Sequence, residues 1–253
     1  MPALDYSRLA GLYDHYCVFD GDLPFWRSQV SGALGDVLEL MAGTGRVTLP
    51  LVEQGARMVC VDSDLSMLRR LREKLASRRL RARLLAGDVT RLPVRGRFSR
   101  ILLPFQGLSE LPTREDRLSM LRSVAPCLAD SGRFICTSHD PISRLRPLDG
   151  AWHEIGTFAG GEGGTLRLAL RGQWLADEEV VIGEQEVVQQ TSGGTQVQQL
   201  RVPLRFALPP LAEIQELAGR AGLRVLEVQG DYGGGAYRPG ESPCIITWMQ
   251  REG

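Results

Sequence analysis

Two rhythms of apolar and polar residues run along this 253-residue chain. Through its first half, short apolar runs alternate with stretches whose apolar residues recur every three or four positions. The runs at 37–41, 57–62, 82–86, 98–103 and 133–138 predict strands. Helical spacing predicts helices over 46–54, 65–77 and 114–128; Leu65, Leu68, Leu71 and Leu75 form the apolar stripe of the second. Gly55 is a stop for the first helix, Asp64 a cap for the second, and Pro126 tightens the last turn of the third. Strands and helices in strict alternation build a parallel sheet covered on both faces, an α/β fold. Ahead of it, residues 5–18 predict a short helix carrying Tyr6, Tyr13 and Tyr16. Asp22 is placed to cap a further helix, with Pro24 in its first turn and Phe25, Trp26 and Val30 following.

The period then changes from near four to two. Leu166, Leu168 and Leu170 alternate with Arg167, Ala169 and Arg171, and Leu200, Val202, Leu204 and Phe206 alternate with Arg201, Pro203 and Arg205. Residues 179–190 are also extended in character, and Ser192-Gly193-Gly194 is a hairpin turn. Such alternation predicts an antiparallel sheet with one wet face. A helix over 209–221, closed by Gly222, and strands at 223–229 and about 243–250 resume the first pattern. The chain therefore divides into 1–149 (N-terminal helices and most of the α/β core), an antiparallel β insertion at 150–207, and 208–253, the rest of the core.

Composition narrows the classes of partner. Thirty basic and thirty acidic residues give zero net charge, so no overall field draws nucleic acid or an anionic membrane. The basic run from Arg69 to Arg83 lies on the helix over 65–77 and its following loop without interleaved aromatics, as a solvated face would, and no nucleic-acid partner is expected. No apolar run approaches the roughly 18 residues of a membrane span. Met1 to Arg8 lacks the basic-then-apolar pattern of a leader. Five scattered cysteines without a C-x-x-C pair fit a reducing, cytoplasmic setting with no metal site expected.

The chemistry concentrates where strands end. Val37-Leu38-Glu39-Leu40-Met41-Ala42-Gly43-Thr44-Gly45-Arg46 reads as a strand carrying an acid, a tight Gly-x-Gly loop and a helix start. The strand at 57–62 ends in a second acid, Asp62, placed for the two hydroxyls of a ribose. A dinucleotide site wants G-x-G-x-x-G, but Arg46-Val47-Thr48 supplies no third glycine. S-adenosylmethionine, which has no pyrophosphate, is the other ligand this unit serves. Gly87-Asp88-Val89 after the third strand decides between them: Asp88 can accept from an adenine exocyclic amine. Three acids at successive strand ends line one crevice in a doubly wound sheet.

On these residues the chain resembles the class I S-adenosylmethionine-dependent methyltransferases, in particular their small-molecule members. "VLELMAGTGRVTLPLVEQGARMVCVDSDLSML", "GDVTRLP" and "FSRILLPFQGLSEL" resemble the family's glycine loop, adenine-binding segment and fourth-strand segment. Tyr13-Asp14 resembles an N-terminal lid, and "GLRVLEVQGDYGG…SPCIITWMQ" the last two strands. The resemblance implies a Rossmann-like seven-stranded sheet whose last strand is antiparallel. It implies that Glu39 orders the loop and reaches the methionine ammonium, that Gly43 and Gly45 let the protein backbone approach the cofactor, and that Ser63, Met67, Asp88 and Val89 surround the adenosine. Pro104 and Phe105 would lie near the transferred methyl, and Tyr13 would cover the cofactor or pack structurally. The chain departs from the family at Met41, where glycine is usual.

The reaction expected is methyl transfer to N or O of a small-molecule acceptor. A macromolecular acceptor (RNA or protein) and an inactive cofactor-binding partner protein are the alternatives. His139, just after the fifth strand, is at the correct edge to be a general base; His15 and His153 are the other histidines. Trp26, Gln106, Tyr13 and His139 are the candidates for the acceptor pocket. Arg46 either pairs with a carboxylate in the site or is exposed. The insertion would roof the pocket or form a dimer contact in a monomer or homodimer.

Overall fold

The computed structural model describes residues 4–33 and 35–252. Residues 1–3, part of the segment read above for a leader, lie outside them with Leu34 and Gly253. Five strands come first: β1 (Val37–Leu40), β2 (Met58–Asp62), β3 (Arg83–Ala86), β4 (Phe98–Leu103) and β5 (Leu128–His139). Four more, β6 (His153–Ala159), β7 (Thr165–Leu175), β8 (Val180–Gln190) and β9 (Gln196–Ala207), form a separate antiparallel sheet in sequence order. β10 (Leu223–Gln229) and β11 (Cys244–Arg251) return to the first sheet, whose order is β10-β11-β5-β4-β1-β2-β3. β11 runs against both of its neighbours, while β1 is parallel to β2 and β4. The chain's direction across the sheet reverses at β1, which opens a crevice beyond the strands' carboxyl ends.

The helices are α1 (Tyr13–Tyr16), α2 (Leu23–Val30), α3 (Thr48–Glu53), α4 (Leu65–Ser77), α5 (Arg114–Val124), α6 (Pro141–Leu145) and α7 (Leu211–Arg220). Successive strand residues point to opposite faces and feed two cores. Leu38, Leu40, Ile101 and Leu103 pack with Leu118 and Leu121 of α5 and Leu217 of α7. Val37, Cys60 and Leu102 pack with Trp26, Leu49 and Leu71 from α2, α3 and α4. Asp64 caps α4 through Ser66 N and Met67 N, and Gly55 follows α3 at φ 95°.

Three expectations are corrected. The helix over 5–18 is a 3₁₀ turn at Tyr6–Arg8 and the short α1. Asp22 makes no side-chain cap to α2; its carboxylate is committed elsewhere, as described below. The insertion has four strands where three runs were legible, because a bulge between Glu154 and Gly156 breaks the alternation of β6. One face of that sheet, through Leu166, Leu168, Val187 and Val202, packs on Leu4 and Leu9 of the N-terminal segment. Its other face carries charge ladders, with Glu186 held by Arg167 and Arg201. No helix among the described residues is long and apolar enough to cross a membrane.

Candidate active site

A cavity of about 640 Å³ lies over the carboxyl ends of β1, β2 and β4. Its floor is the glycine loop. Gly43 takes φ 55°, and a Cβ there would meet nothing within 4 Å, so the bare backbone leaves space a ligand can enter. Gly45, expected at the cofactor, does not line the cavity. It takes φ 87°, and a Cβ would fall 2.2 Å from Leu71 Cδ1, so its glycine serves the packing of the loop on α4. Met41 also sits in the left-handed region, at φ 53°, which is the physical reason glycine suits this position.

The three strand-end acids face the cavity. Glu39 is buried; Thr48 Oγ1 donates to its Oε2 at 2.6 Å, and burial pushes its pKa up to about 7. Asp62 Oδ2 accepts from Gly43 N (2.7 Å) and Oδ1 from Asp64 N (2.8 Å). A carboxylate has about four acceptor positions, so these bonds leave it acceptor capacity for a ligand. Burial raises the Asp62 pKa against the backbone donors of Asp64, Gly43 and Ser63, which lower it. Asp88 is exposed; its Oδ1 accepts from Thr90 N at 2.8 Å, and among the described residues no hydrogen bond engages its Oδ2. Ser63, Met67 and Val89 line the wall between the last two acids.

Opposite the glycine loop, Pro104, Phe105 and Gln106 leave β4. Phe105 and Gln106 are both left-handed, at φ 54° and 55°, held by Gln106 N donating to Thr137 Oγ1 (2.7 Å). This kink turns the Phe105 ring towards Arg46, whose guanidinium lies 4.6 Å from the ring centroid. Arg46 forms a bidentate pair with the buried Asp22, at 2.5 and 2.7 Å, and donates to Phe19 O. The carboxylate that Arg46 pairs with is thus Asp22. Trp26 donates to the same carboxylate (3.0 Å) and is fully buried against Phe25. It lies in the core beneath the sheet, not in the acceptor pocket, because the α2 face that carries it packs inward.

The N-terminal segment and the four-stranded sheet form the roof. Tyr13 lines the cavity and meets Tyr6 and Tyr16 edge-on. Asp14 beside it accepts from Thr44 Oγ1 (2.5 Å) and from Lys74 Nζ (2.8 Å), tying the segment to the glycine loop and α4. Leu170, Gln185, Leu204 and Phe206 reach the cavity from the sheet. Glu110, at the end of a 3₁₀ turn after β4, faces the same space and accepts from the Tyr6 hydroxyl; burial pushes its pKa up to about 7. His139 lines the wall at the end of β5, its ring 5.7 Å from that of Phe206. Burial and then the Arg144 charge hold its pKa down to about 3, so it is neutral. His15 and His153 are outside this lining: His15 Nδ1 meets Ala159 O, and His153 meets Asp149.

Sequence reasoning missed Glu110, Arg144 and the four roof residues. The signal available was a charged residue within a few positions of a strand's carboxyl end, in "FSRILLPFQGLSEL" for Glu110 and just beyond His139 for Arg144. Among the described residues, no cluster of three or more His, Cys, Asp or Glu is arranged to hold a metal.

Known proteins share this fold. Residues 37–132 match the model of a family described as a methyltransferase domain. The cypemycin N-terminal methyltransferase of a Streptomyces species is 27% identical over 215 residues, covering 83% of this chain and 81% of its own. An S-adenosylmethionine-dependent methyltransferase from Clostridium acetobutylicum superposes with a TM-score of 0.82 at 18% identity, over 98% of this chain and 99% of that one. The CcbJ methyltransferase from Streptomyces caelestis does so at 0.78 and 22% identity, over 97% and 96%. The sheet order and the crevice at its reversal define the class I methyltransferase fold. Residues 37–132 are thus those of a methyltransferase domain, and the chain around them has the fold of the class I S-adenosylmethionine-dependent methyltransferases.

The site's chemistry fits this cofactor. Its polar groups are three carboxylate acceptors facing a glycine cradle, which suits hydroxyls, an amine and an ammonium as donors, and the loop lacks the third glycine of a pyrophosphate site.

Proposed function

We propose that the protein methylates a nitrogen or oxygen atom of a small-molecule acceptor, with nitrogen favoured. Bound S-adenosylmethionine supplies an electrophilic methyl on a sulfonium. The free acceptor positions of Asp62 would hold its ribose hydroxyls, the unengaged oxygen of Asp88 the adenine amine, and Glu39 the ammonium. Met67 and Val89 would flank the adenine. The remaining work is alignment of the acceptor and exclusion of water, which the N-terminal segment and the β7–β9 face serve as a roof. The 150–207 insertion is in this reading a substrate roof.

The observation that carries nitrogen is Glu110, a carboxylate in the cavity wall backed by Tyr6 and titrating near pH 7. Such a group attracts an ammonium and takes its proton at neutral pH. His139, held near 3, is a much weaker base and serves as a hydrogen-bond acceptor. The names of similar proteins support the same class: KedS8 of Streptoalloteichus is a sugar N-methyltransferase and MtfA a glycopeptide N-methyltransferase.

Calorimetry tests the cofactor: S-adenosylhomocysteine binds and NADH does not. Labelled-methyl transfer to a panel of amines and alcohols tests the acceptor, and transfer to alcohols alone would remove nitrogen. The ionised form of Glu110 is the competent one, so kcat/KM rises with pH through a midpoint at or below about 7. Asp62, Tyr6 and Tyr13 are the titratable neighbours coupled to Glu110, and of these Asp62 raises its pKa while the Tyr6 hydrogen bond lowers it. In Glu110→Gln that limb disappears and kcat falls by about 10²–10⁴-fold, the usual range for loss of a general base.

A further inference from the structure

The cavity holds a cation that the protein itself does not neutralise. Arg144, in α6 just beyond His139, lines the wall. Its guanidinium lies over the Phe206 ring, 5.2 Å from the centroid, and burial holds its pKa down with no acid contributing. Its Nε is buried without a hydrogen-bond partner, and among the described residues it forms no ion pair. The acid nearest in sequence, Asp140, is occupied by Ser143 N, the Tyr237 hydroxyl and Gly240 N. Arg46, the other arginine of the cavity, is by contrast matched by Asp22 through two hydrogen bonds. A desolvated guanidinium without a counter-charge is unfavourable unless something else brings the charge. Its planar fork of donors is a receptor for two coplanar oxygens.

We propose that Arg144 anchors a carboxylate of the methyl acceptor, so that the substrate is an aminocarboxylate whose amine is drawn to Glu110 and whose acid end is drawn to Arg144. The proposal rests on the small-molecule amine reading above and narrows it. Phe206 sets the plane of the guanidinium, and β9, which carries Phe206, thereby takes part in acceptor choice. His139 lies in the field of Arg144 and against the same ring, so it reports on the anchor.

The test uses the protein loaded with S-adenosylhomocysteine, titrated by calorimetry with 4-aminobutyrate, butylamine and inorganic phosphate. 4-Aminobutyrate binds the wild type, Arg144→Gln weakens it by about tenfold or more, and Arg144→Lys restores part of the loss, in line with a charge-assisted contact. Butylamine binds both forms equally. In NMR titrations, 4-aminobutyrate raises the His139 midpoint from about 3, and Arg144→Gln raises it without ligand. Equal 4-aminobutyrate affinity in wild type and Arg144→Gln, or no binding to the loaded wild type, overturns the proposal. Phosphate binding in place of carboxylate overturns the ligand class. Weakened S-adenosylhomocysteine binding in Arg144→Gln would assign the arginine to the cofactor's own carboxylate. Failure of the wild type to bind S-adenosylhomocysteine would instead strike the methyltransferase reading itself.

Discussion

Met41 stands where β1 enters the glycine loop, at a φ of 53° that costs an L-residue about 1–2 kcal/mol. A straight side chain tolerates that conformation better than a β-branched one. Met41→Ile, similar in size and polarity, is therefore expected to lower stability in a denaturant titration by at least 1 kcal/mol more than Met58→Ile, which lies in β2, where branching is at home. Equal losses would show that the loop bears no such strain. That Glu39, Asp62 and Asp88 converge on one cavity was legible because these acids follow strands at fixed points of a repeating unit. Trp26 was misplaced because periodicity says that a helix has an apolar face and not what that face meets. Arg46 stayed ambiguous because its partner, Asp22, is 24 residues away on a different element. Glu110 and Arg144 are presented by one 3₁₀ turn and one five-residue helix, too short for any period to register.

At the scale of elements, the N-terminal segment is held to the molecule by apolar burial and by polar ties, Tyr6 to Glu110 and Gly11 O to Arg70 among them. Leu4 and Leu9 bury against the four-stranded sheet, and Asp14 alone joins α1 to both Thr44 of the glycine loop and Lys74 of α4. Asp14→Ala removes its ties to the glycine loop and α4 and leaves the apolar burial and the Tyr6–Glu110 contact. It is expected to weaken S-adenosylhomocysteine binding by about 3–10-fold, the scale of one or two partly exposed polar contacts, with little change in Tm. Unchanged affinity by calorimetry would mean that the segment does not govern access to the loop. The expected single helix over 5–18 is interrupted by a turn over 9–12, and apolar spacing did not reveal that its parts pack on the inserted sheet. β6 was hidden for a related reason: its bulge shifts the side-chain phase midway, and phase is the only strand signal in so short a run.

At the scale of the molecule, the insertion leaves after β5 and returns at α7, and the helix layer is locked across that interruption. Arg117 of α5 and Glu213 of α7 form a buried ion pair, with Arg117 Nε 2.9 Å from Glu213 Oε1, and Arg117 also donates to Leu111 O at the cavity rim. Arg117→Ala strands a buried carboxylate and is expected to cost about 3–5 kcal/mol in a denaturant titration, whereas the double change to leucine costs less. A loss near that of a surface arginine would contradict the pair's burial. The seven-strand order was legible through resemblance, and its physical basis is the alternation that forces each crossover onto a face of the sheet. What the insertion covers was not, because apart from one bridge between Leu204 and Leu4 its strands pair with one another, and their alternation is the same whichever surface lies beneath. Lys74 is the only lysine in the chain, and its amine is the one that grips Asp14. An amine-acylating reagent therefore has a single side chain to modify, and the rate at which it does so measures how often the N-terminal segment lets go, before and after ligand is added.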